Sequence, residues 1–282
     1  MRIPLLNASG CLDALAAPDV ARTLDAFVTK TITPLPREGN PPVRIAETAH
    51  GMLNSIGLQG PGIDAFVVDA LPRLRELGMP LWVSVGGFSV SDYTHVCERL
   101  DAEEGIATIE LNLSCPNVEE APESAAALVA AARTATTKPL YAKLSPAQWD
   151  IGGAARAVVG AGADGISLVN TIRGLALDPV TFRPRLSRGV GGYSGAALKP
   201  IALAAVYAAA QAVDVPLVGM GGVATGTDAL ELAAVGASSV ALGTILFSDP
   251  GAAERVRDEI EALSAARGWM TERDVRSDIV VH

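Results

Sequence analysis

Eight short apolar or β-branched runs, separated by Ala/Leu-rich stretches of helical period, constrain this 282-residue chain more than any other feature. They occupy residues 4–8, 26–33, 81–86, 108–113, 140–144, 165–170, 217–220 and 239–242. Most are continuously apolar rather than alternating, the pattern of parallel strands covered on both faces. Helices are predicted between them over 63–77, 91–100, 123–134, 151–160, 196–212, 227–235 and 252–266, with Ser91 and Asp150 as capping residues. Gly162-Ala163-Asp164 and Gly236-Ala237-Ser238 each give a helix a glycine stop before the next strand. This alternation predicts an α/β fold in which residues 1–282 form a single domain, a closed (β/α)8 TIM barrel; an open doubly wound sheet is the alternative. Two Pro/Gly-punctuated stretches, 35–59 and 173–193, exceed the bare barrel. Both follow barrel strands and are expected as loop insertions over the C-terminal mouth, where barrel active sites are built.

Composition narrows the function. Charged residues make up only 19% of the chain, so much of it is expected in a core or a subunit interface, and a homodimer is the expected assembly. A net charge of −9 with no Lys/Arg run excludes a nucleic-acid partner. Cys11, Cys97 and Cys115 are odd in number and unpaired in spacing, which indicates a reducing compartment rather than a disulfide framework. His50, His95 and His282 have no metal-ligand spacing, so no protein-bound metal is expected. Ala8-Ser9-Gly10-Cys11 superficially resembles a lipoprotein cleavage site, but the apolar stretch before it is too short; it reads as a strand ending in a tight turn. No uninterrupted apolar segment reaches the roughly 20 residues a membrane span needs, so a soluble, cytoplasmic protein is expected.

The predicted strands end in polar residues that a plain core would not carry. Gly221-Gly222 and Gly243-Thr244 follow the seventh and eighth strands, where barrels often hold a phosphate on backbone N–H groups, and glycine removes the Cβ that would obstruct it. Lys30 and Lys143 end the second and fifth strands; a lysine in a barrel mouth is costly unless an anion or electron-rich group meets it. Asn54, Asn112, Asn117 and Asn170 offer donors and acceptors together, which suits a ring of alternating N–H and C=O groups. Cys115, between two of these asparagines and just before Pro116, is placed to serve as a thiolate base, whereas Cys11 and Cys97 read as small buried hydrophobes.

The segments ELNLSCPN (110–117), TKTITPLPREGNPP (29–42), GMLNSIGL (51–58), LVNT (168–171), GGYSGAALKPIAL (191–203) and GMGGVATGTDALE (219–231) resemble the class 1 dihydroorotate dehydrogenases, over nearly the whole chain from residue 6 to residue 247. The resemblance implies a barrel that binds FMN and oxidises (S)-dihydroorotate to orotate in pyrimidine biosynthesis. Cys115 would remove the C5 proton while the C6 hydride passes to flavin N5. It further implies that Lys30, Asn54, Asn112, Asn117, Asn170 and Thr171 bind orotate, with Ile56, Gly57 and Leu58 assisting through their backbone. Ser9, Lys30, Thr31, Asn112, Lys143, Gly195, Gly221, Gly222, Gly243 and Thr244 would hold FMN. The GGYSGAALKPIAL and GMGGVAT stretches are most similar to the NAD-linked subclass, in which a second subunit carrying FAD and an iron–sulfur cluster passes electrons to NAD. This chain has no cysteine cluster or dinucleotide fingerprint of its own, so such a route needs a partner. One departure is the short acidic segment 118–122, where the family has a longer Gly-containing loop over the catalytic cysteine. A dihydropyrimidine dehydrogenase-like reductase and a non-catalytic flavin-binding barrel are the competing readings.

Overall fold

The structure, a computed structural model, describes residues 1–113 and 125–277, apart from the side chains of Glu272, Arg273 and Ser277. Among these residues there are twelve strands: β1 (Leu5–Asn7), β2 (Phe27–Val28), β3 (Ile45–Thr48), β4 (Gly51–Asn54), β5 (Leu81–Val85), β6 (Thr108–Asn112), β7 (Leu140–Leu144), β8 (Gly165–Leu168), β9 (Ile172–Leu175), β10 (Val190–Ser194), β11 (Leu217–Met220) and β12 (Ser239–Leu242). Eight pair in parallel in the order β1-β12-β11-β8-β7-β6-β5-β2, and a parallel bridge between Leu6 and Ala26 joins the two ends. The sheet therefore closes on itself as a (β/α)8 barrel, and the open-sheet alternative is excluded.

The closing seam is short of backbone pairing, and side chains complete it. Asn7 is fully buried. Its Nδ2 donates to the Val28 carbonyl at 2.7 Å and its Oδ1 accepts from the Val28 N–H at 2.8 Å, so one amide stands in for a rung of the ladder. At the opposite end of the seam the Asp25 N–H donates to Leu5 O, and the Asp25 carboxylate accepts from Leu5 N and from Arg257.

Strands that look uniformly apolar in sequence alternate once the barrel is closed. On β6 and β7, Ile109, Leu111, Leu140, Ala142 and Leu144 join the large core between sheet and helices. The intervening Glu110, Asn112, Tyr141 and Lys143 face the barrel interior, whose apolar part is the small cluster of Leu6, Ala26, Val28, Val218, Met220 and Ala241 packed on Trp82 and Tyr141. The Trp82 and Tyr141 rings lie 4.6 Å apart between centroids.

Three expectations need correction. The run 26–33 is regular only over Phe27–Val28. The Thr29 N–H donates to Trp82 O, but the next rung to Ser84 O comes from Ile32, one residue late. The resulting bulge, with Thr29 Oγ1 accepting from Ser84 N at 3.1 Å, turns Lys30 and Thr31 toward the mouth. The stretches 35–59 and 173–193 are not simply loops: β3, β4, β10 and β9 form a four-stranded antiparallel sheet with a core of Ala46, Leu53 and Leu186. The cap of the helix Val90–Asp101 is Ser89, whose hydroxyl accepts from Asp92 N, rather than Ser91; Asp150 caps Ile151–Gly160 as expected. The helix begun at Ile63 runs through a π-helical turn, Phe66–Ala70, to Arg75.

After β11 the chain is tied down by Asp228. Its Oδ2 accepts from Ala224 N, Thr225 N and Thr225 Oγ1, completing a capping box at the helix Gly226–Ala234, and its Oδ1 accepts from Lys199 Nζ at 2.7 Å. Burial opposes ionisation of Asp228, but Lys199 and the Ala224 and Thr225 N–H groups outweigh it and hold the carboxyl below its usual range.

Asn7→Ala leaves the Val28 N–H and C=O buried without partners, and should lower unfolding stability by about 2–4 kcal/mol; an unchanged urea midpoint would show that the seam does not depend on this amide. A carboxyl with a depressed folded pKa stabilises above its unfolded value, near 3.9, and loses that contribution as pH falls through the folded value. Urea unfolding of wild type and Asp228→Asn should thus differ by a constant amount between about pH 5 and 8, and the gap should close below about pH 4. A gap that persists in acid contradicts the assignment.

Candidate active site

The C-terminal mouth of the barrel opens into a cavity of about 580 Å³, flanked by the antiparallel sheet. Ser9 follows β1, Lys30 and Thr31 follow β2, Asn54 ends β4, Asn112 ends β6, Lys143 is on β7, and Asn170 and Thr171 follow β8. All of them line this cavity, together with Ile56, Gly57, Leu58, Gly195, Gly221, Gly222, Gly243 and Thr244. Every predicted site residue within the described part of the chain is thus gathered around one space. Cys115, Asn117 and the short acidic segment 118–122 lie outside the described residues.

A polar belt crosses the mouth from strand to strand. Ser9 Oγ donates to Thr29 O at 2.8 Å and sits 3.3 Å from Thr31 Oγ1, which is 3.0 Å from Ser84 Oγ. Asn112 Nδ2 donates to Thr31 Oγ1 at 3.2 Å, Asn170 Nδ2 donates to Asn112 Oδ1 at 3.0 Å, and Asn170 Oδ1 accepts from Thr171 N at 2.8 Å. Each member orients the next, and the Asn112 carbonyl is held by the Tyr93 hydroxyl at 2.6 Å. An amide has two donor hydrogens and two lone pairs; among the described residues the Asn112 side chain uses one of each, which leaves one of each for a ligand. Asn54 donates to Gly192 O at 3.3 Å, which ties the antiparallel sheet's contribution to its neighbour strand.

The glycine turns have physical causes that differ. Gly221 and Gly222 have φ of +118° and +81°. A Cβ on Gly222 would fall 2.7 Å from Lys199 N, so the turn is locked against the helix Lys199–Ala210 with its backbone bared to the cavity. Gly243 has no such need: a Cβ there would meet Ala8 and Cys11 at the ordinary distances of 3.6 and 3.7 Å. Thr244 Oγ1 donates to Ser194 Oγ at 2.8 Å and draws β10 to the same edge.

Two cations face the space. Lys30 lies across Gly10, whose positive φ and missing Cβ admit the lysine stem, since a Cβ would approach Lys30 Cδ to 3.1 Å. Lys143 is buried, and its Nζ lies 3.8 Å from Glu110 Oε1. Cys97 is a core thiol, as expected; burial pushes its pKa up to about 12. Cys11 is more than a filler, because it lines the cavity. Burial raises its thiol pKa, and Lys143 and Lys30 partly offset this. His50, Met52 and Ser194 were also missed as lining residues. His50 is in the β3–β4 turn and Met52 on β4, so recognising the hairpin in 45–54 would have found both; Ser194 is on β10 and reaches the cavity only through the long-range pairing of β10 with β4.

The family model for dihydroorotate dehydrogenase matches residues 1–263. The dihydroorotate dehydrogenase B (NAD(+)) catalytic subunit of Desulforudis audaxviator is 43% identical over 98% of this chain and 91% of its own length. The protein of the same description from Listeria monocytogenes is 38% identical over 99% of this chain and 95% of its own. Among solved structures, that of a dihydroorotate dehydrogenase from Eimeria tenella in complex with ferulenol superposes with a TM-score of 0.81, covering 96% of this chain and 84% of that one. Its 23% identity bears on the fold alone. On the near-complete family match and the extent of these identities, the chain belongs to the dihydroorotate dehydrogenase family.

Proposed function

We propose that this chain is an FMN-binding catalytic subunit that oxidises (S)-dihydroorotate to orotate. The observation that carries the reading is the convergence of the described site residues, from nine separate chain segments, on one cavity. The site suits FMN in its chemistry. The bared backbone at Gly221 and Gly222, and at Gly243 where packing does not demand glycine, suits a phosphate; the lysines suit an electron-accepting ring. Bound there, the flavin supplies a two-electron acceptor for the hydride leaving C6.

The chain's own residues do the rest. Lys30 meets the substrate carboxylate as a point charge, aided by the Ile56–Gly57–Leu58 backbone. Asn54, Asn112, Asn117, Asn170 and Thr171 match the alternating donors and acceptors of the pyrimidine ring. Cys115 takes the C5 proton as a thiolate. Ser9, Thr31, Lys143, Gly195 and Thr244 complete the cofactor's surroundings. With three dispersed cysteines, the chain lacks the means to hold an iron–sulfur cluster, so electrons bound for NAD leave through a partner subunit carrying FAD and such a cluster. The relatives' description as catalytic subunits supports this. A second copy of the chain covers the apolar edge beside β9, where Leu175, Leu177, Val180 and Phe182 are 46–83% exposed.

Anaerobic mixing of the FMN-loaded protein with dihydroorotate should bleach the visible flavin absorbance rapidly. Cys115→Ser should slow bleaching by at least about tenfold near neutral pH and recover part of the loss at alkaline pH, since a hydroxyl is the weaker acid. Bleaching by dihydrouracil and not by dihydroorotate would replace the substrate, and a wild-type pH profile in the variant would remove Cys115 as base. Light scattering should give a dimer for wild type and a shift toward monomer for Phe182→Asp. A wild-type monomer at micromolar concentration would refute the second-copy assignment.

A further inference from the structure

Glu110 belongs to the most diagnostic motif of the chain, yet it does not line the cavity. It is only 2% exposed, inside the barrel one layer below Asn112. On the neighbouring strands Asn112 stands opposite Lys143 in register, and Lys143 opposite Ser167. The Glu110 side chain crosses beneath Lys143 to reach β8, where its Oε2 accepts from Ser167 Oγ at 2.8 Å. Its Oε1 is buried and, among the described residues, accepts no hydrogen bond; the nearest cation is Lys143 Nζ at 3.8 Å.

That arrangement is unusual for a buried acid. A carboxylate this deep ordinarily closes on its cation with a charge-assisted bond of about 2.7–2.9 Å. Here Ser167 holds it back, leaving an ion pair without a hydrogen bond between its members. The ammonium keeps its donors for the cavity, while the fixed negative charge behind it offsets part of its field. Leaving Lys143 buried with no counter-charge would be costly, and closing the gap would mask it.

We propose that Glu110, tethered by Ser167, is a positioning residue that sets how much positive charge Lys143 presents to the cavity, and thereby the reduction potential of the electron-accepting ring bound there. The inference rests on the FMN reading. A ring that gains negative charge on reduction is reduced more easily beside a stronger cation, and charge placed close to a cofactor ring tunes its potential. The sign of each change follows. Removing the carboxylate charge unmasks Lys143 and raises the potential. Removing the tether frees the carboxylate to close on Lys143 and lowers it.

The test is the two-electron midpoint potential of the FMN-loaded protein, read by anaerobic equilibration with a reference dye, in wild type, Glu110→Gln and Ser167→Ala. Glu110→Gln should raise the reduced-to-oxidised ratio at a given dye poise by at least about tenfold, equivalent to about 30 mV for a two-electron couple. Ser167→Ala should shift the ratio the other way. A purely structural role for Glu110 predicts weaker flavin binding in Glu110→Gln, with an unchanged potential in the fraction that keeps the flavin; that result overturns the proposal. If Glu110→Gln cannot be obtained folded, Ser167→Ala decides alone: a lowered potential supports the tether and an unchanged one refutes it. Wild-type protein that takes up no FMN would bring down the underlying reading first, and is seen before any variant is compared.

Discussion

Closing eight parallel strands into a ring gives every second side chain nowhere to go but inside, and the rest of this molecule depends on how those inward positions are filled. The outward positions of β6, β7 and β8 are aliphatic and join the main core. The inward positions near the mouth are Asn112, Glu110, Lys143 and Ser167, polar groups that hold one another in place: Ser167 donates to Glu110, Asn170 donates to Asn112, and Lys143 sits 3.8 Å from the Glu110 carboxylate as its counter-charge. Asn7 does the same at the seam, where its amide replaces a missing ladder rung. Stability and function are therefore linked through the same side chains: a belt that must be satisfied for the barrel to close is also a belt of oriented donors and acceptors facing a cavity.

The barrel alone would leave that cavity shallow. Its depth comes from two departures from regularity. A one-residue bulge after β2 swings Lys30 and Thr31 inward, which a continued ladder would have placed alternately in and out. The antiparallel sheet, assembled from two stretches more than a hundred residues apart in sequence, adds Asn54 and Met52 from above and brings Ser194 against Thr244. The site is thus assembled from long-range pairings, which accounts for its precision and for how poorly local pattern foretells it.

Local pattern did foretell the barrel. β7, β11 and β12 run over the residues expected, because a short apolar run bounded by Pro and Gly has few alternatives in a helix-rich context. Polar residues at strand ends identified Asn112, Lys143 and Asn170, since buried strands give such residues no other reason to be there. Less was legible where the reason for a residue lies in a distant partner. β3 and β4 alternate over only a few residues, and their pairing with β10 is not visible until the chain has folded. Ser91 looked like a cap by type, but Ser89 has the extended backbone that a cap requires. Cys11 reads as a small hydrophobe on its own; only the cavity's shape puts it beside the lysines. Glu110 was hidden inside a recognised motif, its burial invisible until β6 took its place in the ring.

The distribution of charge completes the argument. The chain carries a net charge of −9 and relies heavily on arginine for its cations; its lysines are only Lys30, Lys138, Lys143 and Lys199. Arginine serves the surface and seam pairs, such as Arg257 with Asp25 and Arg133 with Asp164, where one guanidinium binds a carboxylate and nearby backbone carbonyls at once. Lys30 and Lys143 are reserved for the cavity, where a compact charge on a flexible stem can meet a ligand. On the proposed reading two kinds of anion must be held there without exchanging places. A phosphate on the bared backbone of the β11 and β12 turns needs no lysine, since N–H groups suffice. Both ammonium groups then remain for the chemistry, one at a carboxylate and one at a ring whose charge changes during the reaction. A second carboxylate, Glu110, held under Lys143 but kept from bonding to it, is what allows that last charge to be graded rather than merely present.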